Sequence, residues 1–243
     1  MARGPTLGGM DRPIGRRSLM LGAGTGAVAL ASMARAAGRH APARAGESEE
    51  DVGPGEDLMR EHGVLRRILL IYGDVARRLE ASADVDVAVV QRSAKLIRRF
   101  VEDYHEKQEE EVLFPRFERA HKLVDLVNVL RAQHQAGRRV TERIQGLATG
   151  DGIKSADGRR RLHAELQSFI RMYEPHAARE DTVLFPALHE IVSRSEYDAL
   201  GEDFERREHA VFGGDGFEHA VAEVDGIERS LGIEDLARFT PRA

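Results

Sequence analysis

The chain contains no cysteine among its 243 residues. That absence removes disulfides, iron–sulfur clusters, thiolate zinc sites, thiol catalysis and lipid attachment through a cysteine. Any metal must therefore be held by nitrogen and oxygen. Tryptophan is also absent and aromatic residues make up only 5%, so a core has to be aliphatic, which favours helices over a β-sandwich. No segment sustains a period-two alternation, and no sheet is expected. Basic residues are outnumbered by acidic ones, 36 to 41. The formal net charge is −5, and residues 1–36 carry five Arg against one Asp, so the remainder alone would sit near −9. Such a remainder has no electrostatic footprint for nucleic acid and no reason to rest on anionic lipid. Charged residues at 32% exclude a protein of many membrane spans, while 42% apolar residues suffice for one sizeable core.

Gly15-Arg16-Arg17-Ser18 opens an uncharged run from Leu19 to Ala34, which exits through Ala34-Arg35-Ala36. Charged start, apolar middle and small-residue exit are the parts of a secretory signal. The paired arginines and the Gly- and Ala-rich middle resemble a twin-arginine signal, the route that exports folded proteins. Gly15 and Leu19 depart from the Ser or Thr and the Phe usual at those places. The run has about 16 residues, short of the ~20 that a spanning helix needs. The expectation is a signal over residues 1–36, cleaved after Ala36, with delivery to the periplasm or cell envelope and no membrane contact afterwards. Residues 37–55 hold little to bury and read as a disordered linker.

From Asp57 onward apolar residues recur at helical spacing. The first helix presents Leu58, His62, Leu65, Leu69, Tyr72, Ala76 and Leu79; the second Val90, Ala94, Ile97, Val101, His105, Gln108 and Val112. The third presents Val127, Leu130, His134, Gly137, Thr141, Ile144 and Ala148; the fourth Leu162, Leu166, Phe169, Tyr173, His176 and Glu180. Thr149-Gly150-Asp151-Gly152 reads as the loop between the last two. The expected fold is all-α: an antiparallel four-helix bundle over residues 56–192, made of two repeated helical hairpins. Two further amphipathic helices form an extension over 193–231, and 232–243 is a tail.

The repeat is explicit. His105-Glu106-Lys107-Gln108-Glu109-Glu110-Glu111-Val112-Leu113-Phe114-Pro115 aligns with His176-Ala177-Ala178-Arg179-Glu180-Asp181-Thr182-Val183-Leu184-Phe185-Pro186 at an offset of 71, and His62 precedes His134 by 72. Residues four apart on a helix share a face, so His105 with Glu109, and His176 with Glu180, can reach one point. Each histidine lies in an apolar stripe, where an unpaired ionisable group is expensive. A lone His-x3-Glu carries little weight, and His219 with Glu223 is a third example without the following Val-Leu-Phe-Pro. Four imidazoles in register, with the element duplicated, point to a metal site of His62, His105, Glu109, His134, His176 and Glu180. Imidazole and carboxylate without thiolate suit iron, manganese or zinc.

The duplicated His-x3-Glu-x2-Val-Leu-Phe-Pro, with a lone His on each preceding helix, resembles the hemerythrin family in its bacterial His-His-Glu branch, over about Glu56 to Glu190. The resemblance implies two non-haem iron ions, with Glu109 and Glu180 bridging and His62, His105, His134 and His176 as terminal ligands. It also implies about two open positions for a small diatomic or peroxide ligand. Members that carry dioxygen reversibly use a fifth histidine, and here that position is Arg138. The departure favours a more open centre, with Glu106 or His209 as candidates to fill the gap. Dioxygen, peroxide or nitric oxide is the expected ligand, for sensing, scavenging or stress defence. The rival readings are a di-iron redox enzyme, decomposing peroxide or oxidising ferrous iron, and a structural bundle with a zinc or empty site. Leu113, Phe114, Leu184 and Phe185 should cap the core, and Pro115 and Pro186 should kink or end their helices. Tyr104 and Tyr173 flank the site. His121, His163, His189 and His219 read as surface or capping residues.

Overall fold

The computed structural model describes residues 52–241. The expected signal, the linker through residue 51 and the last two tail residues lie outside the described residues. Within them the chain is helical and contains no strand.

Helix α1, Pro54–Glu80, begins at a proline, whose fixed φ and missing N–H suit the first turn. Glu56 and Asp57 follow at its positive end, and Arg77 and Arg78 stand in its last turn. Helix α2 runs over residues 87–119 from a cap in which Asp86 accepts from the Ala88 N–H. Helix α3 is Val124–Leu147. A short helix α4, Gly150–Lys154, stands where the sequence reads as plain loop, because the Thr149 side chain accepts from the Gly152 N–H and caps it. Helix α5 covers residues 156–188, capped by Ser155 accepting from Gly158 N–H. Helices α6, Arg194–Phe212, and α7, Gly216–Leu231, form the extension, each stopped by a left-handed glycine, Gly213 and Gly232.

Both α2 and α5 change their winding beside the repeated motif. In α2 the bonding widens to the π pattern over Ile97–His105 and again over Glu109–Leu113. In α5 it widens over Glu180–Leu184. The Glu109 carbonyl accepts from the Phe114 N–H and the Glu180 carbonyl from the Phe185 N–H, five residues on in each case. Pro115 and Pro186 therefore do not end their helices, which continue to Arg119 and Leu188. The wider turn just before each proline accommodates a residue that has no N–H to give and whose ring crowds the preceding turn.

The core has two clusters. One gathers Leu65, Ile68, Tyr72, Ile97, Phe100, Ile144, Leu166 and Phe169; the other gathers Leu58, Leu113, Phe114, Phe117, Val127, Leu130, Leu184 and Phe185. Along α1 and α3 the chain passes from the second cluster to the first, and along α2 and α5 from the first to the second. The motif histidines lie at each crossing. Helix α1 packs on α5, α5 on α3 and α3 on α2.

The extension covers α1 and α2. Arg67 on α1 binds Asp225 and Glu228 on α7, and Phe212 of α6 meets the Phe100 and Tyr104 rings at 6.0 and 5.1 Å between centroids. The Tyr197 hydroxyl donates to Glu56 at 2.7 Å and accepts from the Gly55 N–H at 3.2 Å. These contacts draw residues 54 and 55, expected as linker, into the first turn of α1. The local sequence marks this start only through Pro54, a residue that suits a first helical position.

Candidate metal centre

Where the two clusters meet, α1 contributes His62, α2 His105 and Glu109, α3 His134, and α5 His176 and Glu180. All six side chains are buried, both glutamates completely. They form two groups able to hold an ion each: His62, His105 and Glu109, and His134, His176 and Glu180. The glutamates lie between the groups. Glu109 Oε2 is 3.8 Å from His105 Nε2 and 3.3 Å from His134 Nε2, and Glu180 Oε2 is 3.4 Å from His62 Nε2 and 3.1 Å from His176 Nε2.

Each imidazole is oriented from behind. The Nδ1 atoms of His62, His105, His134 and His176 face Asp181 at 2.6 Å, Glu61 at 2.7 Å, Glu110 at 3.2 Å and Gln133 at 2.9 Å. An acceptor at Nδ1 fixes the proton there and leaves the Nε2 lone pair facing the centre. The consequence is plain at His134 and His176, whose Nε2 atoms face each other at 3.2 Å. Two lone pairs in apposition repel unless a cation lies between them. Neighbouring ligands each about 2.1 Å from one ion would stand roughly 3 Å apart. Among the described residues, none of the four carboxylate oxygens of Glu109 and Glu180 finds a hydrogen-bond partner. Leaving such groups bare in the interior costs several kcal/mol, and an ion would offset that cost. The donor set fits a bound cation.

Without an ion the buried groups are pushed in different directions. Burial pushes the Glu109 carboxyl well up, and the nearby Glu180 charge adds to it. Burial also opposes ionising Glu180, but the His176 and His62 rings outweigh it and hold that carboxyl well down. Burial lowers His105 and His134, which keeps them in the neutral form that binds metal. For His62 burial is outweighed by the neighbouring Asp181 and Glu180 carboxylates, and its pKa rises. Two phenyl rings close the centre toward the second cluster: Phe185 stacks on His62 and Phe114 on His134, both at 5.5 Å.

The two candidates for an extra ligand part company. His209 is exposed and its Nδ1 faces the Glu205 carbonyl on its own helix. Glu106 is buried beside the centre and forms a third group with Glu110 and His134. A cation already serves that group, because Arg138 lies 2.8 Å from both Glu106 and Glu110. Tyr173 donates to Glu106 at 2.7 Å, and its ring meets His176 edge-on at 5.4 Å. Burial pushes the Glu106 carboxyl up to about 8 against the pull of Arg138. Tyr104 points instead toward Phe100 and Phe212. His121 and His219 are exposed, as is His189, which stacks on Tyr197.

Glu61, Glu110, Gln133 and Asp181 are absent from the ligand set that the sequence suggests. A signal for them exists in the repeat. Each sits next to a ligand, and Glu61 precedes Gln133 by 72 positions as Glu110 precedes Asp181 by 71. Within a hairpin, the residue before the lone His backs the second histidine. Between hairpins, the residue after the Glu backs the other hairpin's lone His.

The comparisons with known proteins agree with this geometry. The Hemerythrin HHE cation binding domain matches residues 54–188. Uncharacterized proteins of Mycobacterium tuberculosis and Mycobacterium bovis are 45% identical over 233 residues, covering 94% of this chain and 91% of theirs. No solved structure matches. A match over more than half of the chain, on the residues that build this centre, shows that the chain belongs to the hemerythrin HHE cation-binding domain family.

Proposed function

We propose that the chain is an exported protein whose centre holds two non-haem irons and engages dioxygen, peroxide or nitric oxide, for sensing, scavenging or stress defence. The apposed Nε2 atoms of His134 and His176 carry the reading, because both rings already spend their Nδ1 protons elsewhere. His62, His105, His134 and His176 are the terminal ligands. Glu109 and Glu180 would each reach both ions, since each lies between an imidazole of one group and an imidazole of the other. The alternating passage between the two clusters supports an antiparallel arrangement of α1, α2, α3 and α5.

Iron in such a site supplies one-electron chemistry and open positions for a small ligand. The chain's own residues prepare it. Asp181, Glu61, Glu110 and Gln133 hold the rings in one tautomer and orientation. Phe114 and Phe185 keep water from one side. Tyr173 and Arg138 hold the Glu106 carboxyl at the edge of the centre.

Protein made in iron-replete cells should carry close to two irons per chain by elemental analysis. One ion per chain, or zinc alone, would sink the di-iron reading. Export through Arg16-Arg17 has its own test. The double change Arg16→Lys and Arg17→Lys should leave iron-loaded protein in the cytoplasm, and unchanged export would point to another route.

A further inference from the structure

The four acceptors behind the histidines are not alike. His105 is backed by a carboxylate, Glu61 at 2.7 Å, and its counterpart in the repeat, His176, by a neutral amide, Gln133 at 2.9 Å. We propose that the two ion positions are inequivalent. The one built from His62, His105 and Glu109 binds its ion more tightly than the one built from His134, His176 and Glu180. The inference rests on the dinuclear reading above.

A carboxylate at Nδ1 makes the imidazole a stronger ligand, because it draws the ring proton toward itself and leaves negative charge close to the cation. An amide oxygen offers only a dipole. Glu61 is 2% exposed, so water screens that charge weakly. The remaining pair adds to the difference. Asp181 and Glu110 are both carboxylates, but among the described residues Asp181 is paired with one such cation, Arg66, whereas Glu110 is shared by Lys107 at 3.1 Å and Arg138 at 2.8 Å. Two cations spread over Glu110 leave it less charge to lend His134. Both departures from the internal twofold therefore weaken the same position.

Cobalt(II) titrated into the metal-stripped full-length chain, followed by its visible bands and by calorimetry, reads the two steps directly. Repulsion between neighbouring ions would separate two steps even in a symmetric site, so the variants decide. Gln133→Glu should raise the weaker affinity by roughly 10–100-fold and narrow the gap. Glu61→Gln should lower the tighter affinity by a similar factor. Gln133 is only partly buried, so its variant keeps the test decisive even if the buried Glu61 change disturbs folding. Two ions per chain with the weaker affinity unmoved in Gln133→Glu would overturn the inequivalence. One cobalt per wild-type chain would instead remove the dinuclear reading beneath it.

Discussion

At position 137 the absence of a side chain decides where Tyr173 can sit. A Cβ on Gly137 would come 2.0 Å from the Tyr173 hydroxyl oxygen and 2.8 Å from Cζ. Glycine inside a helix costs about 1 kcal/mol relative to alanine, so Gly137→Ala would stabilise α3 if propensity decided. The clash decides instead. Overpacking of this kind costs about 1–3 kcal/mol, and the displaced tyrosine would also lose its bond to Glu106. Urea unfolding of the metal-free protein should show a net loss for Gly137→Ala. In a Tyr173→Phe background the same change should cost less, by about 0.5 kcal/mol or more, because the nearest atom is gone. Equal costs in both backgrounds would show that the hydroxyl is not what Gly137 makes room for.

At the scale of helices, the unusual features are the π turns that start at Glu109 and Glu180. A π turn amounts to one residue more than the α-helix would use, and such turns gather at functional sites. Deleting Glu111, an exposed residue within Glu109–Leu113, should let that stretch relax to regular α-helix. Far-UV circular dichroism should change little while metal content falls, because Glu109 would be re-aimed. Retention of full metal content would show that the wider turn does not place the carboxylate. The sequence marks these turns only through Pro115 and Pro186, and such a proline reads equally well as a kink or a helix end. The helices themselves are legible, because the 3.6-residue spacing of Leu58, Leu65, Leu69, Tyr72 and their counterparts admits no other structure. So is the juxtaposition of the six candidate ligands, which follows from their place in apolar stripes. Glu61, Glu110, Gln133 and Asp181 escape the same logic. They flank the ligands, where a polar residue reads as ordinary helix surface until the neighbouring helix is in place. The short helix α4 escapes it too, hidden by two glycines that Thr149 overrides with a cap.

For the whole molecule, the centre divides the core into two apolar clusters with bare polar groups between them. Ions bound only by the folded chain add to its stability, by about 4 kcal/mol at free metal a thousandfold above Kd. For a domain of this size each kcal/mol moves the melting temperature by about 2–4 °C. Each of the two sites adds that much, so metal-loaded protein should melt roughly 15–30 °C above stripped protein in differential scanning calorimetry. In Glu180→Ala that gap should largely close, since one residue serves both groups. A gap as wide as in wild type would mean that Glu180 is not a ligand.

The same layer has a consequence for how the chain is tied. His62 and Glu180 come from helices at opposite ends of the bundle sequence, and no cysteine is available to join such distant segments. Ions at the centre would act as cross-links closing loops of more than a hundred residues, the length at which a tie removes the most freedom from an unfolded chain. Unlike a disulfide, this tie offers no bond for a thiol to exchange, and it yields to chelators and acid. The protein's durability would then track the metal supply of its surroundings.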